Sequence, residues 1–211
     1  MRGQQLQNQG LNQISFTGEL LRKLTHFFAL VIPFGYFLLK LSRGEALAIM
    51  IPISILMVII DIGRLRNWKI WHWLKGILSP IIREHEMMGD FTGASYILLT
   101  SCFVIALFPQ PVALASMAFI MAGDPAAAII GRKFGRIRFK EKSLEGSLAF
   151  LVMSLLVAYV TPDLSLGIGL IGAIVATVTE AVSFHIDDNA SVPLVSGVVM
   201  ELLIKSAIFA S

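Results

Sequence analysis

The sequence predicts an all-α, polytopic integral membrane protein with about seven transmembrane helices and one interfacial amphipathic helix. Composition is the first observation behind this prediction. Of 211 residues, 56% are hydrophobic and only 15% are charged, whereas soluble chains average about 45–50% apolar and about 25% charged residues. The second observation is that the apolar residues form long runs, which is typical of membrane spans.

Each predicted span follows from one apolar run. A helix needs about 20 apolar residues to cross a hydrocarbon core about 30 Å thick. Seven runs approach this length, at residues 24–41, 45–62, 93–109, 111–130, 146–161, 164–183 and 191–209. Pro109 and Pro111 predict a tight turn between the third and fourth runs, and Pro162 predicts another between the fifth and sixth. We interpret residues 1–211 as a single membrane-embedded domain with a polar tail at 1–20.

Residues 67–86 differ from these runs because tryptophans alternate with charged residues. Tryptophans favour headgroup depth, and basic residues favour the membrane surface. The segment is therefore predicted to be an amphipathic helix that lies in the interface as an anchor or, less simply, as a gate for a lipid substrate. Its aromatic and basic residues are Trp68, Trp71, Trp73, Lys69, Lys75 and Arg83.

The distribution of basic residues predicts the orientation. All but three of the 17 Lys and Arg residues lie in the N-terminal segment and in the second and fourth connections, and the exceptions are Lys40, Arg43 and Lys205. Cytoplasmic connections are enriched in Lys and Arg. We therefore expect a cytoplasmic N-terminus, an external C-terminus and, for so compact a chain, a bacterial inner membrane.

Several kinds of site are excluded by missing motifs. A lone cysteine, Cys102, rules out a disulfide framework and a CxxC site, and the four histidines form no HExxH pattern. The sequence also contains no GxxxxGK[ST] phosphate loop and no HRD or DFG motif of protein kinases.

The densest polar stretch begins at Asp124, an acid inside an apolar run. An ionised carboxylate at the centre of a membrane helix costs about 2.5–3.5 kcal/mol on insertion scales, so such residues are usually functional. Because Asp-Pro resembles an N-cap followed by the first helical position, we expect the fourth helix to break at Gly123 and restart at Pro125. A helix N-terminus there would suit a phosphate group. Small residues, including Gly131 and Gly135, would let a ligand approach the backbone.

A basic cytoplasmic loop, residues 131–145, follows this stretch. Six basic residues occur between Arg132 and Lys142, more than anchoring in the membrane requires. Ser143 and Glu145 could serve only as capping residues of the next helix.

Carboxylates and amides predict a metal site near the end of the sixth span. Glu180 precedes Asp187, Asp188 and Asn189, which an Asx-rich turn could also explain. Mg²⁺ prefers oxygen ligands, typically one or two carboxylates together with substrate phosphates. We therefore predict Mg²⁺ as the cofactor, with ligands drawn from Asp124, Glu180, Asp187 and Asp188.

Other polar residues are predicted to support the site or the fold. Asp61 and Arg64 are spaced to pair on one helical face, as are Glu201 and Lys205. His26 lies one turn deeper than the basic residues that precede the first span. The supporting residues are Arg22, Lys23, His26, Asp61, Arg64 and Glu86.

Several of these stretches together resemble the dolichol kinase family, which includes the CTP-dependent diacylglycerol kinases and the phytol kinases. The resemblance covers about residues 22–197. It rests on RKLTH, DIGRLR, REHEMMGDFTGASYILL, GDPAAAIIGRKFG with KSLEG, and E followed by AVSFHIDDNASVPLVSG. It implies a membrane kinase that takes a nucleoside triphosphate, often CTP, and phosphorylates a lipid alcohol with a divalent metal.

The same resemblance implies which residues bind the nucleotide. The KSLEG block would form the nucleotide-binding segment, the GD and GR positions belong to the block before it, and Asp188, Asn189 and Pro193 match the last motif. With the neighbouring basic residues, the nucleotide-binding set is Gly123, Gly131, Arg132, Lys133, Lys140, Lys142, Ser143, Glu145, Gly146, Ser147 and Asn189.

The leading hypothesis is a kinase that transfers the γ-phosphate of CTP or ATP to a polyprenol, an isoprenoid alcohol or diacylglycerol. Asp124, Glu180 and Asp188 are its predicted catalytic residues. A cytidylyltransferase that makes a CDP-lipid is the alternative, and a transporter or anion-binding membrane protein is a third reading. The expected partners are the nucleotide, the lipid and the bilayer, without nucleic acid.

Overall fold

The computed structural model describes residues 24–69, 71, 89–139, 142–182 and 187–206. Within these residues the chain forms seven α-helices and a two-stranded antiparallel hairpin. A helical turn at residues 24–28 precedes the first helix. The elements are α1 Val31–Leu38, α2 Arg43–Leu65, α3 Gly93–Leu107, α4 Gln110–Phe134, β1 Arg138–Phe139, β2 Lys142–Ser143, α5 Leu144–Val160, α6 Leu166–Val182 and α7 Asp188–Lys205.

Several helices begin at side chains that cap their free N–H groups. In α2, the Ser42 side chain accepts a hydrogen bond from the Glu45 N–H while the Glu45 carboxylate accepts one from the Ser42 N–H. Thr92, Ser143 and Asp187 cap α3, α5 and α7 in the same sense. Short polar signals in the sequence therefore define where these apolar helices start.

Helix α4 forms the centre of the molecule and contacts α1, α3, α5, α6 and α7, whereas α2 packs against α3. Val112, Ala115 and Phe119 of α4 are fully buried. Small residues also allow close packing between the helices that surround α4. A Cβ atom at Gly172 of α6 would lie 2.5 Å from the Met200 sulfur of α7.

The described residues are largely helical, which confirms the all-α prediction, and many of their large apolar side chains are exposed. Among the described helices, α2 and α4 are long and apolar enough to cross a membrane by length and composition. Only 28% of the most apolar stretch of α2 is buried, so its hydrophobicity is not explained by an internal core. Phe28, Val152 and Tyr159 are likewise exposed. The full set of seven spans stays a prediction.

The predicted break in the fourth span is wrong. Helix α4 runs without interruption from Gln110 to Phe134 and includes Gly123, Asp124 and Pro125. An internal proline removes one helical hydrogen bond, a loss that neighbouring groups compensate in many membrane helices. Pro52 and Pro193 also lie inside helices. Asp124 is therefore a mid-helix side chain, and no helix N-terminus forms at Pro125.

Parts of the sequence-based prediction lie outside the described residues. Of the predicted interfacial helix at 67–86, the structure describes only residues 67–69 and 71. In this part, the Trp71 side chain is buried and that of Trp68 is exposed. Arg22, Lys23, Glu86 and Lys140 also lie outside the described residues.

Candidate active site

Lys142 joins two of the predicted polar stretches. Its Nζ lies 2.6 Å from Oε1 of Glu180 and 3.6 Å from Oδ2 of Asp188, and it also donates to the backbone carbonyl of Glu180. The Glu180 side chain is only 5% exposed. A buried carboxylate is costly without a counter-charge. Lys142 supplies that charge from strand β2, directly before α5.

Asp124 lies in the middle of α4 and contacts His26. Its Oδ2 is 3.2 Å from Nδ1 of His26, and both residues are buried. Asp124 and Asp188 each act electrostatically on the Glu180 carboxylate as like charges. Lys142 thus contacts two of the three predicted catalytic carboxylates, whereas the third, Asp124, forms a buried pair with His26. We call these five residues, together with Asn189 beside Asp188, the polar cluster.

The polar cluster offers oxygen atoms that suit a magnesium ion. Glu180 Oε2 and Asn189 Oδ1 are buried and have no hydrogen-bond partner, a costly arrangement unless a ligand satisfies them. No three His, Cys, Asp or Glu side chains are close enough to hold a metal by themselves in the part of the chain that the structure describes. Mg²⁺ needs only one or two protein carboxylates when substrate phosphates complete its shell. An Mg²⁺ ion held by these residues would therefore need phosphate oxygens of a nucleotide to complete its shell.

Asp187 has a structural role at the start of α7. Its carboxylate accepts hydrogen bonds from the backbone N–H and the side-chain amide of Asn189, at 2.9 and 2.7 Å. The Asx-turn interpretation therefore accounts for Asp187. This turn does not explain Asp188 or the Oδ1 atom of Asn189, and both belong to the polar cluster.

The KSLEG block organises the connection between α4 and α5. The Ser143 hydroxyl accepts a hydrogen bond from the Gly146 N–H at 3.1 Å. Glu145 Oε1 accepts one from the Arg136 N–H at 2.9 Å. These bonds fix the hairpin that carries Lys142. The Ser147 hydroxyl is buried without a hydrogen-bond partner.

The predicted glycines pack helices together. A Cβ atom at Gly131 would lie 2.8 Å from Oγ of Ser143, and one at Gly146 would lie 2.9 Å from the Ala127 carbonyl oxygen. At Gly123, it would lie 2.7 Å from the Phe150 ring. Sequence reasoning assigned Gly131 and Gly135 to ligand approach, whereas the side chain of Ser143 is a near neighbour of both.

Basic residues form an exposed rim beside the polar cluster. Arg132 and Lys133 lie in the last turn of α4, where positive charge is favoured by the helix dipole. Lys133 Nζ is 5.3 Å from the centre of the Phe134 ring. Arg136 and Arg138 are exposed in the following connection. Lys142 differs from all of them because it reaches the buried carboxylates.

A second polar group surrounds Asp61, which is fully buried. The predicted pair with Arg64 is confirmed, with Nε 3.1 Å from Oδ1. Sequence reasoning missed the other partners. Asp61 Oδ2 accepts from the N–H and hydroxyl of Thr92 and from the Ser95 hydroxyl, at 2.8, 2.9 and 2.6 Å. The hydroxyl residues that open the third apolar run were the signal for this contact.

Comparison with known proteins places the chain in a family. An uncharacterised protein of Rickettsia prowazekii is 31% identical over 85% of this chain and 91% of its own length. CTP-dependent diacylglycerol kinase 1 of Saccharomyces cerevisiae is 26% identical over 89% of this chain and 74% of the yeast protein. A Triticum aestivum protein named "Probable phytol kinase, chloroplastic" is 30% identical over 61% of this chain and 50% of the plant protein.

No protein-family model matches the chain, and no solved structure matches it significantly. Two of these relatives nevertheless match over most of the chain. The chain belongs to the family that contains the CTP-dependent diacylglycerol kinases and the phytol kinases.

Proposed function

We propose that this chain is a membrane lipid-alcohol kinase. It would transfer the γ-phosphate of a nucleoside triphosphate to the hydroxyl of an isoprenoid alcohol, a polyprenol or diacylglycerol. CTP is the expected nucleotide because the yeast relative is named as CTP-dependent. The names of the yeast and wheat relatives support this class of reaction. The observation that carries the proposal is the contact of Lys142 with Glu180 and Asp188, next to the buried Asp124.

Phosphoryl transfer depends mainly on positioning and on neutralising charge. The exposed basic rim, formed by Arg132, Lys133, Arg136 and Arg138, would draw the nucleotide to the polar cluster. Lys142 would then turn its ammonium from the carboxylates to a phosphate oxygen, since a lysine serves as a mobile point charge for phosphates.

Glu180, Asp188 and Asn189, with Asp124 beside them, are the residues that would hold Mg²⁺. The bound ion supplies charge neutralisation of the phosphate oxygens. The unpartnered oxygen atoms of Glu180 and Asn189 support this assignment. Lys142 offsets part of the negative charge of Glu180 and Asp188.

The proposed reaction forms one bond and breaks one. The lipid oxygen bonds to the γ-phosphorus, and the bond from that phosphorus to the bridging oxygen breaks. The electron pair leaves with the nucleoside diphosphate. The hydroxyl proton passes to a carboxylate of the polar cluster. Asp124 is our candidate acceptor because its Oδ2 lies 3.2 Å from Nδ1 of His26 and because it comes from a helix other than those that carry Glu180 and Asp188.

We further propose that seven helices span a bacterial inner membrane, with the polar cluster at the cytoplasmic side. The exposed apolar faces of α2 and α5 support a lipid environment. The basic residues beside the cluster support the cytoplasmic assignment. Cysteine labelling in intact cells tests it: a cysteine at Arg138 should be protected from an impermeant reagent, and one at Asp163 should react.

Two labelled forms of CTP test the reaction. Purified protein is incubated with Mg²⁺, a lipid alcohol and CTP labelled in either the γ- or the α-phosphate. A kinase transfers only the γ-label into an organic-soluble lipid monophosphate. Transfer of the α-label with release of pyrophosphate identifies a cytidylyltransferase instead. Movement of a solute across liposomes without nucleotide consumption identifies a transporter.

A further inference from the structure

A cavity of about 650 Å³ lies between α1, α2 and α3. Its size falls within the range of about 300–1,000 Å³ typical of ligand pockets. Hydrocarbon side chains form most of its wall, among them Ile32, Met50, Ile53, Ile97 and Leu98. Water gains little in such a space, whereas a hydrocarbon chain is favoured.

Most polar residues of the cavity wall gather toward one end, and Tyr36 lies toward the other. Asp61 and Arg64 lie in the last two turns of α2, Thr92 caps the start of α3, and His26 lies in the turn before α1. The opposite end is formed by residues such as Leu39 and Leu41. The cavity is therefore amphipathic along its length, as a long-chain alcohol is.

His26 connects this end of the cavity to the polar cluster. It lines the cavity, and its Nδ1 is 3.2 Å from Oδ2 of Asp124. Asp61 already accepts hydrogen bonds from Arg64, Thr92 and Ser95. Asp61, Arg64 and Thr92 at the polar end are therefore hydrogen-bonded within the protein, and His26 lies between the cavity and Asp124.

We propose that this cavity binds the hydrocarbon chain of the alcohol substrate and presents its hydroxyl beside His26 to Asp124. This inference rests on the proposed kinase function and adds the place and chemistry of the lipid. The occupant is a long-chain alcohol because apolar walls with one small polar end match a single hydroxyl on a hydrocarbon. A charged phospholipid headgroup would need several polar partners at this end.

Glycine substitutions test the cavity without touching the polar cluster. Gly35 lines the cavity, and an added Cβ atom there meets no atom within 4 Å. Gly35→Leu should therefore fill the cavity without disturbing the backbone, and Gly35→Ala should fill less of it. Gly44→Leu is the matched control, since a Cβ there also meets nothing within 4 Å and the residue lies in the first turn of α2.

In the kinase assay, Gly35→Leu should raise the KM for a long-chain alcohol by about tenfold or more. The KM for the nucleotide and turnover of a short-chain alcohol should stay unchanged. Gly35→Ala should have a smaller effect, and Gly44→Leu none. An unchanged lipid KM in both Gly35 variants overturns the inference.

Photolabelling separates this inference from the proposed function because it needs no nucleotide. A long-chain alcohol with a diazirine in its chain should label the peptide that contains Met50, Ile53 and Met57, which line the cavity. Unlabelled alcohol should compete, and Gly35→Leu should remove the label while Gly44→Leu keeps it. Labelling without phosphate transfer would reject the kinase and keep the cavity, whereas transfer without this labelling pattern would reject the cavity alone.

Discussion

The Nζ of Lys142 lies 2.6 Å from Oε1 of Glu180, although 38 positions separate these residues in the sequence. One residue belongs to the short hairpin that precedes α5, and the other to the end of α6. The sequence placed the lysine in a nucleotide-binding segment and the glutamate in a metal site. Their contact makes the two predicted sites one.

Breaking this ion pair should affect stability and activity in different ways. Lys142→Met leaves a buried carboxylate without its counter-charge, a loss typically worth about 3–5 kcal/mol. Thermal unfolding in detergent should show a lowered Tm for Lys142→Met. The double variant Lys142→Met with Glu180→Gln should recover much of the stability but no phosphate transfer. A Lys142→Met protein as stable as the wild type would contradict the pairing.

The glycine contacts predict a stability difference between two similar substitutions. Gly146→Ala brings a Cβ atom within 2.9 Å of the Ala127 carbonyl oxygen, and overpacking of this kind costs about 1–3 kcal/mol. Gly44→Ala meets no neighbour within 4 Å and should gain up to about 1 kcal/mol through helix propensity. The free energies of unfolding in a denaturing detergent provide the comparison. If both substitutions changed the free energy of unfolding equally, the close packing of Gly146 against Ala127 would be contradicted.

Removing the charge of Asp61 should weaken the contact between α2 and α3. Asp61→Asn removes the charge that pairs with Arg64 and replaces one of the two accepting oxygen atoms by an NH₂ group, so we expect a loss of about 3–5 kcal/mol. Asp163→Asn is the matched control, because Asp163 is an exposed turn residue with a positive φ that asparagine also tolerates. Indistinguishable melting temperatures for the two variants would contradict this role of Asp61.

The Mg²⁺ assignment predicts a binding effect that can be measured without catalysis. Mg²⁺ with a non-hydrolysable CTP analogue should raise the Tm of the wild-type protein, because a ligand that binds only the folded state stabilises it. Chelation should reverse the shift and abolish phosphate transfer. Asp188→Asn should lose most of the Mg²⁺-dependent part of the shift. A shift of equal size in this variant and the wild type would remove Asp188 from the metal site.

The helices could be predicted from sequence because their causes are local. The second run was predicted at 45–62 and forms Arg43–Leu65, and the fourth was predicted at 111–130 and forms Gln110–Phe134. Apolar composition sets the length of each helix, and adjacent capping residues set its start. The pair of Asp61 with Arg64 was predictable for the same reason, since both residues lie on one helical face.

The remaining features depend on contacts between distant segments. The Asp124-Pro125 pair favours a helix start when only local signals are considered, but α4 is packed by five other helices and stays continuous. Gly131 and Gly135 were expected to let a ligand approach the backbone, although the Ser143 side chain of the hairpin lies close to both. The His26–Asp124 contact joins segments about a hundred residues apart, so no local pattern contains it.

Asp124 carries the central claim, because it is buried in α4, contacts His26 and acts on Glu180. Asp124→Asn keeps the shape of this side chain and removes its charge. The variant should fold with a wild-type elution profile in detergent. A proton-transfer group typically contributes about 10²–10⁴-fold to a rate, so we expect at least a hundredfold lower turnover.

The most direct measurement is therefore the transfer of label from γ-labelled CTP to a long-chain alcohol, with Mg²⁺, by the wild type and Asp124→Asn in parallel. The account predicts a labelled lipid monophosphate with the wild type and a nearly complete loss with the folded variant. Equal transfer by the two proteins, or no transfer by the wild type with any lipid alcohol and nucleotide, would contradict it.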